Sequence, residues 1–207
     1  MPVTIASVIV DTDDPTAAGK FTAALGLSRQ VLVRATEEPS EGFRGYTLGL
    51  VVKEPVDVDA YVTAAESGGG AVLKAPTRSL WGYGAALRSP EGSVWTVASS
   101  AKRNSGRDGV LAYDDLVLLL GVADVKATKR FYSGQGLAVG KSFAGKYVEF
   151  STSGITLAAQ PRSAAARTAG VDPGAPVPPG LTVVGSAGVF TDPDGFSWTE
   201  DRGTLLS

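Results

Sequence analysis

Ser89-Pro90-Glu91-Gly92-Ser93-Val94-Trp95-Thr96 returns near the end of the chain as Asp192-Pro193-Asp194-Gly195-Phe196-Ser197-Trp198-Thr199. In each copy, proline presets φ for a tight turn, and glycine two residues later supplies a positive φ. The segment after the turn alternates as a β-strand does, so each Trp points to one face and the following Thr to the other. We expect both Trp side chains to lie in the core. The repetition predicts a duplicated chain.

A second pair of motifs supports the duplication. Asp14-x₆-Phe21-x₄-Gly26-Leu27 matches Asp124-x₆-Phe131-x₄-Gly136-Leu137 at an offset of 110 residues, and the turn motifs are offset by 103. Aspartate is a favoured helix N-cap, so each copy predicts a strand followed by a capped helix. We predict one half over residues 1–100, a polar linker over 101–112, and a second half with a shortened tail over 113–207.

Composition limits the function classes. The chain has 207 residues, of which 43% are apolar and 19% charged, which suits a folded domain with a substantial core. Its net charge of −2 and scattered Lys and Arg argue against a nucleic-acid partner. No apolar run is long enough to cross a membrane, and the first residues do not resemble a secretory signal, so we expect a cytoplasmic protein.

Two residue types are missing altogether. The sequence contains no Cys and no His. Thiolate and imidazole metal sites, cysteine nucleophiles, Ser-His dyads and histidine bases are therefore excluded for this chain. Any metal would need oxygen ligands alone. We expect no cofactor.

The combination of motifs resembles the vicinal oxygen chelate superfamily, which includes glyoxalases, bleomycin-resistance proteins and extradiol dioxygenases. The resemblance rests on the strand before Asp-x₆-Phe, on the Gly-Leu pair, and on the final Pro-acid-Gly-x-x-Trp hairpin. It implies an α+β fold of tandem βαβββ modules, whose curved mixed sheets enclose a cavity and carry helices on their flanks. Because this fold hosts many chemistries, it does not by itself imply an activity.

The resemblance also implies where metal ligands would lie. The family's His positions on first strands correspond to Ser7, Thr47 and Val117, and its Glu positions after the hairpin Trp correspond to Thr96 and Thr199. None of these side chains suits a divalent transition metal. We therefore expect a metal-free protein without lactoylglutathione lyase or dioxygenase activity.

The remaining candidate ligand-binding residues are polar and aromatic. The four hydroxyl residues at the emptied positions either bind a ligand or are ordinary strand residues. Aromatic side chains in or beside loops either line a pocket or pack locally. Arg44 either pairs with a ligand anion or is a solvated surface residue. The predicted ligand-binding set is Ser7, Phe43, Tyr46, Thr47, Trp81, Tyr83, Thr96, Tyr147 and Thr199.

Glu149 is the candidate catalytic residue, because a cavity carboxylate can act as a base and shares its strand face with Tyr147. Three functions remain open. The chain binds or sequesters a small apolar or aromatic molecule between the sheets, or it is a metal-independent lyase or isomerase using Glu149, or it is a non-catalytic scaffold. The resemblance to drug-sequestering proteins favours the first and admits a homodimer.

Overall fold

The computed structural model describes residues 2–80 and 82–200. Four helices lie in this part of the chain: α1 (Pro15–Ala24), α2 (Pro55–Ser67), α3 (Val125–Gly134) and α4 (Arg162–Ala169). The strands of its first half are β1 (Val3–Thr12), β2 (Val31–Ala35), β3 (Tyr46–Val51), β4 (Ala71–Ser79), β5 (Gly82–Arg88) and β6 (Val94–Ser99). The later strands are β7 (Asp115–Val122), β8 (Val139–Phe143), β9 (Tyr147–Phe150), β10 (Thr152–Gly154), β11 (Thr156–Pro161), β12 (Leu181–Gly185), β13 (Phe190–Thr191) and β14 (Ser197–Glu200).

The predicted helix starts are confirmed at the level of individual hydrogen bonds. The Asp14 carboxylate accepts a hydrogen bond from the Ala17 amide at 2.9 Å, and Pro15 is the first residue of α1. The Asp124 carboxylate accepts from the amides of Lys126 and Ala127 at the start of α3. Each carboxylate satisfies amide groups that have no partner within the helix, which is why both helices begin at the repeated motif.

The eight-stranded sheet consists of two matching modules. Its order is β4-β5-β6-β3-β7-β11-β9-β8. In each module the first strand runs parallel to the last, β3 beside β6 and β7 beside β11. The two first strands, β3 and β7, pair antiparallel at the centre. The α+β fold of tandem βαβββ modules is thus confirmed.

The six-stranded sheet contains shorter versions of the same unit. Its main order is β10-β1-β12-β14-β13, and β2 pairs with β1. Here β1 and β12 pair antiparallel, while β12 runs parallel to β14. Each of the two sheets therefore takes strands from both predicted halves of the sequence, so the halves interlock rather than form separate barrels. The boundaries predicted for the halves and the linker remain predictions.

One apolar core joins the inner faces of the two sheets. Trp95 and Trp198 are 1% and 2% exposed, as their alternation predicts. They belong to the same cluster as Ile5 of β1, Leu48 of β3 and Leu118 of β7. Large side chains therefore occupy the space in which the sequence interpretation placed a ligand cavity, because both sheets turn their most apolar face inward. Within the described ranges, no helix is long and apolar enough to span a bilayer.

Candidate functional site

The outward face of the eight-stranded sheet is open to solvent along one row of residues. Strand pairing places Thr96, Gly49, Val117 and Thr156 side by side across β6, β3, β7 and β11. All four are partly exposed, whereas the residues one step along each strand are buried in the core. The period of two in a strand produces this contrast. The open row crosses the centre of the sheet, where the two modules meet.

Helix α4 covers one end of this face. Its residues Ala165, Ala166 and Ala169 are buried and form a small apolar cluster with Phe43 and Val94. The helix approaches the sheet closely because Gly121 of β7 has no side chain, and a Cβ atom there would lie 3.1 Å from the Cβ of Ala165. Small residues on both elements thus set the helix directly on the strand.

A groove of about 210 Å³ remains beside the far end of α4. Most of its lining side chains are small, so the backbone of β5 and β6 forms much of its floor. Thr77, Thr96 and Thr168 contribute hydroxyl groups, and Lys74 contributes an ammonium group. The full lining is Lys74, Thr77, Ser79, Gly84, Ala85, Ala86, Thr96, Val97, Ala98 and Thr168. The groove can therefore offer hydrogen bonds around a mainly apolar floor.

The four predicted hydroxyl residues are divided between the two sheets. Thr96 lies on the floor of the groove. Thr47 is on the same face but is 3% exposed and pairs with Val94, which packs against α4. Ser7 and Thr199 lie in the other sheet, where both pair with Val184. Thr96 and Thr199 are equivalent in the sequence repeat, but Thr96 belongs to the eight-stranded sheet and Thr199 to the six-stranded sheet.

The predicted aromatic residues of the first half lie away from the groove floor. Phe43 packs beneath α4, with the guanidinium of Arg162 5.0 Å above its ring. Tyr46 faces the core, where its hydroxyl lies 2.7 Å from Ser93 Oγ and burial raises its pKa to about 12. Tyr83 lies on the helix-facing side of β5, and its hydroxyl donates to the Asp59 carboxylate of α2 at 2.9 Å. Trp81 is outside the described residues.

Glu149 and Tyr147 interact with each other on the outward face. The Tyr147 hydroxyl donates to the Glu149 carboxylate at 3.0 Å, and burial together with this hydrogen bond raises the pKa of Tyr147. The other carboxylate oxygen of Glu149 lies 2.8 Å from Lys141 Nζ. Glu149 thus already has an ion-pair partner and a hydroxyl donor.

Two further polar side chains are withdrawn from solvent in part or almost completely. Asp115 begins β7 on the same face as Val117, and burial raises the pKa of its carboxyl group. The Thr156 hydroxyl donates to this carboxylate at 2.9 Å. Arg44 is not the solvated residue that was one of its two interpretations, because its side chain is 3% exposed. Strand alternation from Val117 was a usable signal for Asp115, whereas no local pattern indicates the burial of Arg44.

The residues present do not fit the transition metal that the fold family implies. The central row of the outward face offers two hydroxyls, a glycine and a valine. In the part of the chain that the structure describes, no group of three or more His, Cys, Asp or Glu residues could hold a metal ion. Neutral hydroxyls are weak ligands beside the imidazole and carboxylate groups that such metals prefer.

No protein-family model matches the sequence, and no curated protein matches it either. Solved structures do match the fold over most of the chain. A single-residue variant of glyoxalase I from Zea mays has a TM-score of 0.55 at 12% identity, covering 96% of this chain and 92% of that chain. Glyoxalase I from Zea mays itself has a TM-score of 0.53 at 11% identity, covering 88% and 74%. At these identities the likeness concerns the fold alone. The chain therefore has the fold of glyoxalase I, built from paired βαβββ modules.

Proposed function

We propose that this protein binds a small, flat, mainly apolar molecule without a metal ion, in the groove between α4 and the outward face of the eight-stranded sheet. The observation that carries the proposal is the position of Thr96. It lies on the groove floor, in the row where the two modules meet, and it occupies the position at which the family resemblance implies a metal-binding glutamate. The proposed site therefore lies on the outer face of one sheet, and not between the two sheets as expected from the sequence.

The size and lining of the groove support a small ligand. Its volume of about 210 Å³ is below the roughly 300–1,000 Å³ of pockets for drug-sized molecules. Ala86, Ala98 and Gly84 leave a flat surface on which an aromatic ring can lie. The hydroxyl of Thr96 and the ammonium of Lys74 are both available to a polar or anionic substituent, which would fix the orientation of the ring.

The alternative functions have less support. A metal-independent lyase or isomerase would use Glu149, but this carboxylate is paired with Lys141 and accepts the Tyr147 hydroxyl. A general base must reach the proton that it removes, and both oxygens of this carboxylate already have partners within the chain. A scaffold role has no specific observation in its favour. The homodimer and the cytoplasmic location remain predictions.

A substitution that fills the groove tests the proposal. Ala98 is exposed on its floor, so Ala98→Phe should occupy the ring-binding surface without disturbing the core. Ala6→Phe on β1 is the matched control, because Ala6 is equally an exposed alanine on a strand but belongs to the six-stranded sheet. The probes are a library of single-ring and fused-ring aromatic acids and phenols. The readouts are thermal shift and protein NMR.

We expect some of these aromatic compounds to stabilise the wild type and Ala6→Phe, and to lose their effect on Ala98→Phe. Chemical-shift changes should centre on β5, β6 and the end of α4. The proposal is wrong if the library gives no binder, or if binding survives in Ala98→Phe. Elemental analysis of the purified chain tests the metal-free part separately, and a stoichiometric transition ion would overturn it.

A further inference from the structure

Two arginines line a second, separate cavity at the other end of α4. Its volume is about 80 Å³. Arg162 is the first residue of α4, whereas the groove described above contacts Thr168 near the last turn. The cavity lies among strand ends and loops and is lined by Arg44, Gly45, Gly121, Ala123, Arg162, Pro176, Val177, Asp194 and Phe196.

Arg44 is almost completely buried, and its hydrogen bonds go to backbone carbonyl groups. Its Nε donates to the Ser40 carbonyl at 3.1 Å, and its Nη1 donates to the Asp11 carbonyl at 3.0 Å. Its Nη2 donates to the Glu91 carbonyl. Carbonyl dipoles solvate a guanidinium but leave its full charge in place. These bonds use three of the five N–H groups of the guanidinium, and the Tyr46 hydroxyl also interacts with the Arg44 side chain.

Arg162 is partly exposed, but its guanidinium group also donates to backbone carbonyl groups. Its Nη2 donates to the carbonyls of Phe43 at 2.5 Å, Pro173 at 2.9 Å and Ala175 at 3.2 Å. Its Nε is buried and has no hydrogen-bond partner among the residues that the structure describes. Its Nη1 lies against the backbone of Gly45, where a Cβ atom would be 2.6 Å away. Burial lowers the pKa of Arg162, and no neighbouring acid opposes that effect.

Two acidic residues lie near the arginines. Asp194 lines the cavity, but its carboxylate accepts from the Ala123 amide at 2.8 Å and from the Thr128 hydroxyl at 3.4 Å. One carboxylate oxygen of Glu91 accepts from the Ser89 hydroxyl at 2.5 Å, and the other is buried without a hydrogen-bond partner among the described residues. Within residues 2–80 and 82–200, neither Arg44 nor Arg162 has a carboxylate within ion-pair distance. Two guanidinium charges thus share one cavity whose lining contains a single carboxylate.

We infer that this cavity binds a small oxyanion, phosphate or the carboxylate of a small molecule, between Arg44 and Arg162. A guanidinium fork matches the paired oxygens of these anions, and a buried arginine gains most from a fully charged acceptor. The volume suits an anion of a few heavy atoms. Such an anion would join α4 to the strand end at Gly45 and to the loop around Ala175.

Thermal unfolding of the full chain in different salts tests the inference. Phosphate, acetate and chloride are compared at matched pH and ionic strength. An anion at ten times its Kd should raise Tm by about 3–6 °C. Arg162→Met should abolish that specific rise, whereas Arg167→Met should retain it, because Arg167 is an exposed arginine on the same helix. Each comparison uses the difference between salts, so a general loss of stability does not affect it.

The three salts distinguish a phosphate site, a carboxylate site and the absence of an anion site. A larger rise with phosphate supports a phosphate site, and a larger rise with acetate supports a carboxylate site. Equal Tm values in all three salts overturn the inference, as does a specific rise that persists in Arg162→Met. If Arg162→Met does not fold, Arg162→Lys keeps a charge without the fork and should reduce the rise. Titration calorimetry of the wild type with phosphate and with acetate provides an independent check.

Discussion

The hydroxyl of Tyr132 connects the second copy of the turn motif to its helix, and its removal should be costly. It donates to the Asp192 carboxylate at 2.7 Å and accepts from the indole Nε1 of Trp198 at 3.2 Å. All three residues are buried. Tyr132→Phe deletes one oxygen atom, so it removes both hydrogen bonds while the ring contacts stay in place.

The magnitude follows from the two groups left without partners. A hydrogen bond to a charged acceptor contributes about 1.5–3 kcal/mol, and an unpaired buried donor costs about 1–3 kcal/mol. We expect Tyr132→Phe to lower the free energy of unfolding by about 3 kcal/mol. For a chain of this size, that corresponds to a fall in Tm of about 6–12 °C. In the first copy, Thr22 takes the place of Tyr132, and the indole Nε1 of Trp95 finds no hydrogen-bond partner in the described part of the chain.

Urea unfolding of the two proteins, followed by tryptophan fluorescence, measures the difference. Tyr147→Phe is the matched control, because its hydroxyl also donates to a carboxylate, but Glu149 is partly exposed and keeps its ion pair with Lys141. We expect the control to lose less than about 1 kcal/mol. The reasoning is refuted if Tyr132→Phe loses no more than the control.

The loss should also depend on pH. Burial raises the pKa of Asp192, and the Tyr132 hydroxyl opposes that effect by stabilising the carboxylate. A raised carboxyl pKa means that stability is fully present at low pH and is lost as pH rises through the folded-state pKa. Tyr132→Phe raises this pKa further, so its penalty should be larger at pH 7 than near pH 4. Equal penalties at both pH values would contradict the assignment.

Two further substitutions test the anchoring of the predicted linker and of α4. The Asp57 carboxylate is 1% exposed and receives two bonds from Arg107 and one from the Val110 amide, so Asp57→Asn should lower the free energy of unfolding by about 2 kcal/mol. Because Arg107 lowers the pKa of Asp57, the effect should shrink as pH falls below about 4 through the folded-state pKa, which acid titration of both proteins would show. Gly121→Val should push α4 away from β7 and lower the free energy of unfolding in urea by about 1–3 kcal/mol. Gly19→Val is the control and should not lower it, because a Cβ atom at Gly19 would lie more than 4 Å from the described atoms outside its own helix turn.

Much of the fold could be predicted because its signals are local. The N-cap positions of Asp14 and Asp124, and the inward faces of Trp95 and Trp198, depend on a few neighbouring residues. Capping chemistry and strand alternation act over less than two turns or one strand. Because the chain is duplicated, the turn motif and the helix-capping motif each occur twice in the sequence. These features were sufficient to identify the architecture that the structure confirms.

The candidate site was harder to predict because it depends on long-range pairing. Thr96, Gly49, Val117 and Thr156 form one row only because β3 pairs with β7 in one register. A shift of one residue would have turned the opposite set of side chains outward. The alternation in the sequence correctly placed Thr96 on the face opposite Trp95, but it could not assign Ser7 and Thr199 to a different sheet.

The residues alone were enough to show that the chain is duplicated, that its turns, helix caps and core tryptophans repeat, and that no histidine or cysteine is available for chemistry. Only long-range packing places α4 across the outward face, with a groove at one end and, at the other, a cavity lined by the buried Arg44 and the partly exposed Arg162. The difference lies in how far apart in the sequence the interacting residues are. Turns, caps and alternation are fixed by neighbours along the chain, whereas the contacts of Arg44 and Arg162 join segments up to 119 residues apart.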